Sequence, residues 1–173
     1  MGFLLNLGPL FFFFHSCVGV YDITQYNAVE NIDTWEAAVQ NTEALAQAIS
    51  AANASPTEDR TVWIPSGSIF YFKNLTSTGL HDITIVVDGT LRLNNDLSRW
   101  NKEMAGKKQE ALYFEDCEGI HLTGTGTIDG QGLPWWRLAY LGVDYRPHFI
   151  EFHEGNISSC CFNSHNFNTQ PCF

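Results

Sequence analysis

The sequence predicts an all-β solenoid, a β-helix whose first coil is closed by one amphipathic α-helix. Three observations carry that expectation. In Gly124-Thr-Gly-Thr-Ile-Asp-Gly-Gln-Gly132, four glycines alternate with Thr, Ile, Asp and Gln. Short extended pieces there are broken by turns that need φ > 0 or close backbone approach. Strand-like runs of four or five residues recur between Gly, Asn and Asp turns, as in Thr61–Ile64, Ile69–Phe72, Ile83–Val87 and Thr90–Leu93. Such runs fit a sandwich as well as a solenoid, and an internal repeat decides between them. Placing Gly89 on Gly126, 37 residues on, also aligns Ile83 with Ile120, Ile85 with Leu122, Thr90 with Thr127 and Leu91 with Ile128. Ile150 and Phe152 follow Leu112 and Phe114 by 38 residues. Without the charged loop from Leu97 to Gln109, the period falls to about 24 residues, in the range of units that stack into solenoids.

In chain order, residues 1–20 read as an export signal. Leu4-Leu5, Leu10 and Phe11 to Phe14 form a short apolar run, and Ser16, Cys17 and Gly19 offer small residues for cleavage. The run is too short and too broken by Gly8-Pro9 for a membrane span. Tyr21-Asp-Ile-Thr-Gln-Tyr-Asn-Ala28 alternates and reads as a strand. Residues 41–52 read as a helix: Asn41 serves as N-cap, Glu43 sits in the first turn, and Leu45, Ala48, Ile49 and Ala52 share a face. A helix there suits a plug, since the first coil otherwise exposes an open apolar end.

Composition bounds the function. Apolar residues make up 45% of the 173 positions, enough for a real core. The net charge of -10 comes from 19 acidic and 9 basic residues, and Arg60 is the first cation. That balance argues against nucleic-acid binding, which relies on Lys and Arg to neutralise phosphates. An anionic polysaccharide would need a locally basic cleft. Sequons at Asn53, Asn74 and Asn156 agree with export. Beyond Cys17, the cysteines Cys117, Cys160, Cys161 and Cys172 could form disulfides outside the cell, in pairings that spacing does not reveal. No Cys-His spacing matches a zinc site, and no metal is expected.

The segment Gly124–Gly132, followed by Trp135-Trp136, resembles the Gly-Thr-Ile-Asp-Gly-Gln-Gly…Trp-Trp signature of polygalacturonase-type glycoside hydrolases of family 28. Tyr21–Ala28, the Asn41-Thr-Glu-Ala44 helix start and Arg146-Pro-His-Phe-Ile-Glu-Phe152 are similar to further family segments, so the likeness covers about residues 21–156. The resemblance implies a right-handed parallel β-helix with an N-terminal capping helix. It also implies a secreted enzyme that hydrolyses pectin with inversion, using aspartates and no cofactor. Asn27, where the family has Gly, and the stretch Asn31–Gln40 mark a divergent member.

The family's catalytic motifs are Asn-Thr-Asp, Asp-Asp, Gly-His-Gly and Arg-Ile-Lys, and none occurs here. Asn168-Thr169 is followed by Gln170. No catalytic, cofactor or metal residue is therefore assigned. Glu115, Asp116 and Glu118 read as solvated corner carboxylates, and Asp129 as an Asx turn with Gly130. Trp135 and Trp136 are expected to pack on the solenoid flank rather than stack on a sugar, and His148 to be an ordinary surface or core histidine. Residues 21–157 form the expected domain, and 158–173, lacking alternation and charge, read as a tail outside it. The chain thus reads as the N-terminal portion of such an enzyme, inactive alone. A pectate lyase or uronan epimerase, and a non-catalytic carbohydrate-binding β-helix, are the alternatives.

Overall fold

The computed structural model describes residues 19–56, 59–104, 110–142, 148–154 and 156–160. Strand β1 (Val20–Asp22) leads through a 3₁₀ turn (Ile23–Tyr26) to helix α1 (Trp35–Asn53). Then come β2 (Thr61–Ile64), β3 (Ile69–Phe72), β4 (Leu75–Thr78), β5 (Thr84–Val87), β6 (Thr90–Leu93), helix α2 (Leu97–Met104) and β7 (Glu110–Glu115). The chain continues with β8 (Glu118–Thr123), β9 (Thr127–Asp129), helix α3 (Gly132–Tyr140), β10 (His148–His153) and β11 (Asn156–Cys160).

Every strand pair is parallel, in three sheets ordered β1-β2-β5-β8-β11, β4-β7-β10 and β3-β6-β9. Successive strands of one coil belong to different sheets, and the chain regains its starting sheet one coil later. That is a parallel β-helix. The register gives the coil length directly: Thr61 lies opposite Thr84, 23 residues on, where nothing is inserted. Thr90 lies opposite Thr127, 37 residues on, because α2 leaves the coil between its second and third strands. α3 leaves the next coil at the same corner.

Alternation puts one side chain in two inside, and parallel register stacks like on like. Val62, Ile85 and Leu122 form one internal ladder, Phe70, Leu91 and Ile128 a second, and Leu75, Leu112 and Ile150 a third. Rungs repeat at about 4.8 Å, the spacing of hydrogen-bonded strands. Each fully buried rung contributes about 1.5–3 kcal/mol of apolar transfer. Phe114 and Phe152 stack with centroids 5.0 Å apart.

α1 covers the first coil through Leu45, Ala48, Ile49 and Ala52, all buried. It starts earlier than the sequence suggested. Thr34 is the N-cap, its hydroxyl accepting from the Ala37 amide at 3.1 Å, with Glu36 in the first turn. Asn41 lies within the helix, buried, and works as a cross-link instead. Its Oδ1 accepts from the Val29 amide at 2.7 Å, and its Nδ2 donates to Val29 O at 3.0 Å and Tyr71 O at 2.9 Å. The expected strand Tyr21–Ala28 also stops early. Asp22 draws the Thr24 amide (2.8 Å) into the 3₁₀ turn, which ends at Asn27 in the left-handed region, φ 68°. α2 occupies what read as a charged loop, β4 and α3 lie where no element was expected, and β11 runs to Cys160, past residue 157. Residues 1–18, most of the expected signal, and 161–173, including Cys161, Cys172 and Asn168-Thr169, lie outside the described residues.

Candidate functional site

The Gly124–Gly132 segment turns a corner of the third coil, and its glycines are there for proximity. A Cβ on Gly126 would fall 1.9 Å from Gly89 O, and one on Gly89 would fall 2.2 Å from Pro65 O. Three coils therefore touch backbone to backbone in a column. Asp88 staples it. Its carboxylate accepts from Trp63 Nε1 at 2.9 Å on the coil before, and from the Thr125 amide and hydroxyl at 3.0 Å each on the coil after. The Trp63 bond, followed by those from Thr125, holds this carboxyl below its ordinary pKa despite some desolvation.

Asp129 is committed in the same way. Its Oδ1 accepts from the Gln131 amide at 2.9 Å, closing the Asx turn, and its Oδ2 takes the Arg92 Nε at 2.9 Å. Only 8% of Asp129 is exposed. Gln131, at φ 48°, donates to Leu93 O at 2.6 Å and accepts from Asn95 Nδ2 at 3.0 Å. A buried acid bonded to arginine and to a turn amide holds a corner, with both of its oxygens engaged by the protein.

The tryptophan pair divides. Trp135 is buried edge-on to Trp100 at 5.6 Å, and Trp100 is edge-on to Trp35 at 5.9 Å, so one aromatic column joins α1, α2 and α3. Trp100 Nε1 donates to Asn94 O at 2.7 Å. Trp136, with Arg137, Tyr140 and Leu141, lines a shallow, mainly apolar groove of about 490 Å³ on the outer side of α3.

The outer face of the β4-β7-β10 sheet collects a cluster of ionisable groups. Register sets Thr76, Tyr113 and Glu151 in one row, and Thr78, Glu115 and His153 in the next. The His153 ring stacks on Tyr113 at 6.3 Å. Desolvation, then Glu115, Glu151, Glu110 and Glu154, raise the Tyr113 hydroxyl above its ordinary pKa. His148 has a partner that its sequence context hides: Nδ1 lies 2.8 Å from Glu151 Oε2. Glu110, opposite His148 in register, completes a trio whose ligating atoms lie within 4.8 Å of one another. That spacing suits an exposed hydrogen-bonded cluster as well as a cation.

The corner residues part company. Glu115 ends β7, Asp116 turns at φ 50°, and Glu118 opens β8 within 3.9 Å of His81. Cys117 is a buried free thiol that donates to Glu115 O at 3.1 Å, so it is not the disulfide half the cysteine count allowed. The side chains of Cys160 and Asn156 are not described. Sequence reasoning missed Arg92, Arg137 and Tyr140; the first was within reach, because the 37-residue offset places Arg92 opposite Asp129.

A model of the glycosyl hydrolases of family 28 matches residues 55–170, which take in every coil from β2 onward. The chain belongs to glycosyl hydrolase family 28. Among relatives of this family 28 chain, a polygalacturonase of Chamaecyparis obtusa is 30% identical over 124 residues, 70% of this chain and 22% of that protein. An exopolygalacturonase of Zea mays is 33% identical over 119 residues, 68% of this chain and 26% of its own length. A probable endo-xylogalacturonan hydrolase A of Aspergillus niger is 29% identical over 114 residues, covering 63% and 27%. The family 28 chain thus spans about a quarter of the length of these relatives. A putative glycosyl hydrolase from Parabacteroides merdae superposes with a TM-score of 0.57 at 13% identity, covering 80% of this chain and 61% of that one, and shares the fold.

Proposed function

We propose that the chain is the N-terminal part of a secreted, polygalacturonase-like glycoside hydrolase that cleaves pectin or a related cell-wall polysaccharide with inversion and without a cofactor. The family 28 match over residues 55–170 carries this reading. A β-helix flank suits a linear polymer, because outward side chains recur on successive coils about every 4.8 Å along the axis. Inverting hydrolysis needs one carboxyl group to protonate the leaving oxygen and a carboxylate to activate water, held about 6.5–9.5 Å apart. In this reading the acids of the signature region stay structural. Asp88 holds Trp63 and Thr125, and Asp129 holds Arg92 and Gln131. The acid and base then come from further coils, and these 173 residues alone are a scaffold.

The test is direct. Purified protein incubated with polygalacturonate should release no reducing ends above a buffer control. Release of reducing ends with inverted anomeric configuration would overturn the scaffold statement. Unsaturated products absorbing in the ultraviolet would move the protein to the lyases. Export is read from residues 1–20. Expression in a secreting eukaryotic host should deliver processed protein to the medium, and intracellular retention of unprocessed chain would refute it. Among the described residues no helix is long and apolar enough to cross a membrane.

A further inference from the structure

We propose that the outer face of α3 is a binding subsite for one acidic sugar of a uronate-containing polysaccharide, a step that rests on the pectin reading above. Trp136, Arg137, Tyr140 and Leu141 stand at i, i+1, i+4 and i+5, so helical spacing gathers them into one patch lining the 490 Å³ groove. The volume is in the range of small-ligand sites. Tyr140 is 92% and Leu141 75% exposed, while the opposite side of the helix is anchored by buried Trp135. Tyr140 and Leu141 thus set exposed apolar surface beside the Arg137 guanidinium.

Charge selects the ligand. Among the lysines and arginines whose side chains are described, Arg137 is the one without a protein partner. Arg60 donates to His81 O, Arg92 and Arg99 pair with Asp129 and Glu36, and Lys73 sits over the Trp35 ring. In a chain of net charge -10, an exposed guanidinium with no carboxylate partner, set beside two aromatic rings, can take an external anion with an apolar face. A uronic acid offers both: ring C–H groups against Trp136 or Tyr140, and a planar carboxylate for the two-pronged guanidinium. A neutral hexose would use the rings alone. The platform is held in place before binding, since Gln131, at the N-terminal end of α3, is tied to Leu93 and Asn95.

Titration of the chain with tetragalacturonate and with neutral galactotetraose, followed by calorimetry, tests the assignment. Wild type should prefer the uronate, and Arg137→Gln should weaken that binding about tenfold and remove its salt dependence. Galactotetraose binding should not respond to Arg137→Gln. Tyr140→Ala should weaken both. Both side chains are exposed, so unchanged urea midpoints will show that the variants remain folded. If wild type prefers tetragalacturonate and both variants bind it equally well, the subsite is elsewhere and the pectin reading stands. If wild type shows no preference for the uronate, this proposal falls, and the pectin reading, whose acid and base lie on further coils, is left standing. A wild-type dimer that Tyr140→Ala dissociates in sedimentation would instead make the groove an interface between copies.

Discussion

Gly126→Ala is the sharpest probe of the coil stack. The added Cβ would meet Gly89 O at 1.9 Å and Asp88 C at 2.6 Å, both backbone atoms that no rotamer change can move aside. Contacts of that kind do not fall below 3.0 Å, so the corner must open by about 1 Å between coils that strand pairing holds about 4.8 Å apart. Two hydrogen bonds cross that gap, Gly126 N to Val87 O at 2.8 Å and Thr127 N to Gly89 O at 2.9 Å. Overpacking costs about 1–3 kcal/mol, and each weakened bond about 0.5–1.5 kcal/mol, giving a loss of about 3 kcal/mol. With a urea slope of about 2 kcal/mol per molar, the midpoint should fall by about 1.5 M. The assay is equilibrium urea unfolding followed by tryptophan fluorescence, to which buried Trp100 and Trp135 report. Gly67→Ala is the comparison. Gly67 has φ 85° and nothing within 4 Å of a built Cβ, so only backbone strain of about 1–2 kcal/mol applies. A Gly126→Ala midpoint within about 0.2 M of wild type, or a larger loss at Gly67, would refute close coil approach as the reason for glycine here.

Asn41→Ala should cost about 3 kcal/mol by urea unfolding, since it strands the Val29 amide and carbonyl and the Tyr71 carbonyl; a loss below about 1 kcal/mol would show that these groups find other partners. Trp100→Ala should cost about 3–5 kcal/mol in the same assay, because it opens a cavity between Trp35 and Trp135 and frees the Asn94 carbonyl. Asp88 has a depressed pKa in the folded state, so its contribution is present above the unfolded value of about 3.9 and is lost as pH falls through the lower folded value. Stability measured from pH 7 to pH 2 should therefore fall less steeply at the acid end in Asp88→Asn than in wild type; parallel curves would remove Asp88 from the acid response.

The coil framework was legible because it repeats. β2, β3 and β6 fall where short apolar runs meet turn residues, and the 37-residue offset is the register of β5 on β8 and β6 on β9. The start of α1 was hidden by Asn41, since asparagine is equally at home capping a helix or cross-linking two segments, and only burial separates the two roles. α3 was masked by Gly132 and Pro134, residues that usually signal a loop. Proline is nevertheless tolerated in a first turn, where its missing N–H removes no helical bond. The Glu110–His148–Glu151 cluster joins residues 38 apart and could be seen only once β7 and β10 were paired. The groove on α3 needed knowledge of which tryptophan turns inward, and the sequence Trp135-Trp136 is silent on that.

The aromatic column of Trp35, Trp100 and Trp135 has a consequence for how such a chain can change length. Its members come from three separate excursions off the coils, and Arg99 adds an ion pair to Glu36 at 2.9 Å across two of them. The extra 14 residues that separate a 37-residue coil from a 23-residue one are therefore not slack that can be trimmed one coil at a time. Cutting out α2 would uncover an indole on each side of it. Coil lengths at this corner are coupled like ribs on a shared keel, and shortening one requires the residues that lean on it to change as well.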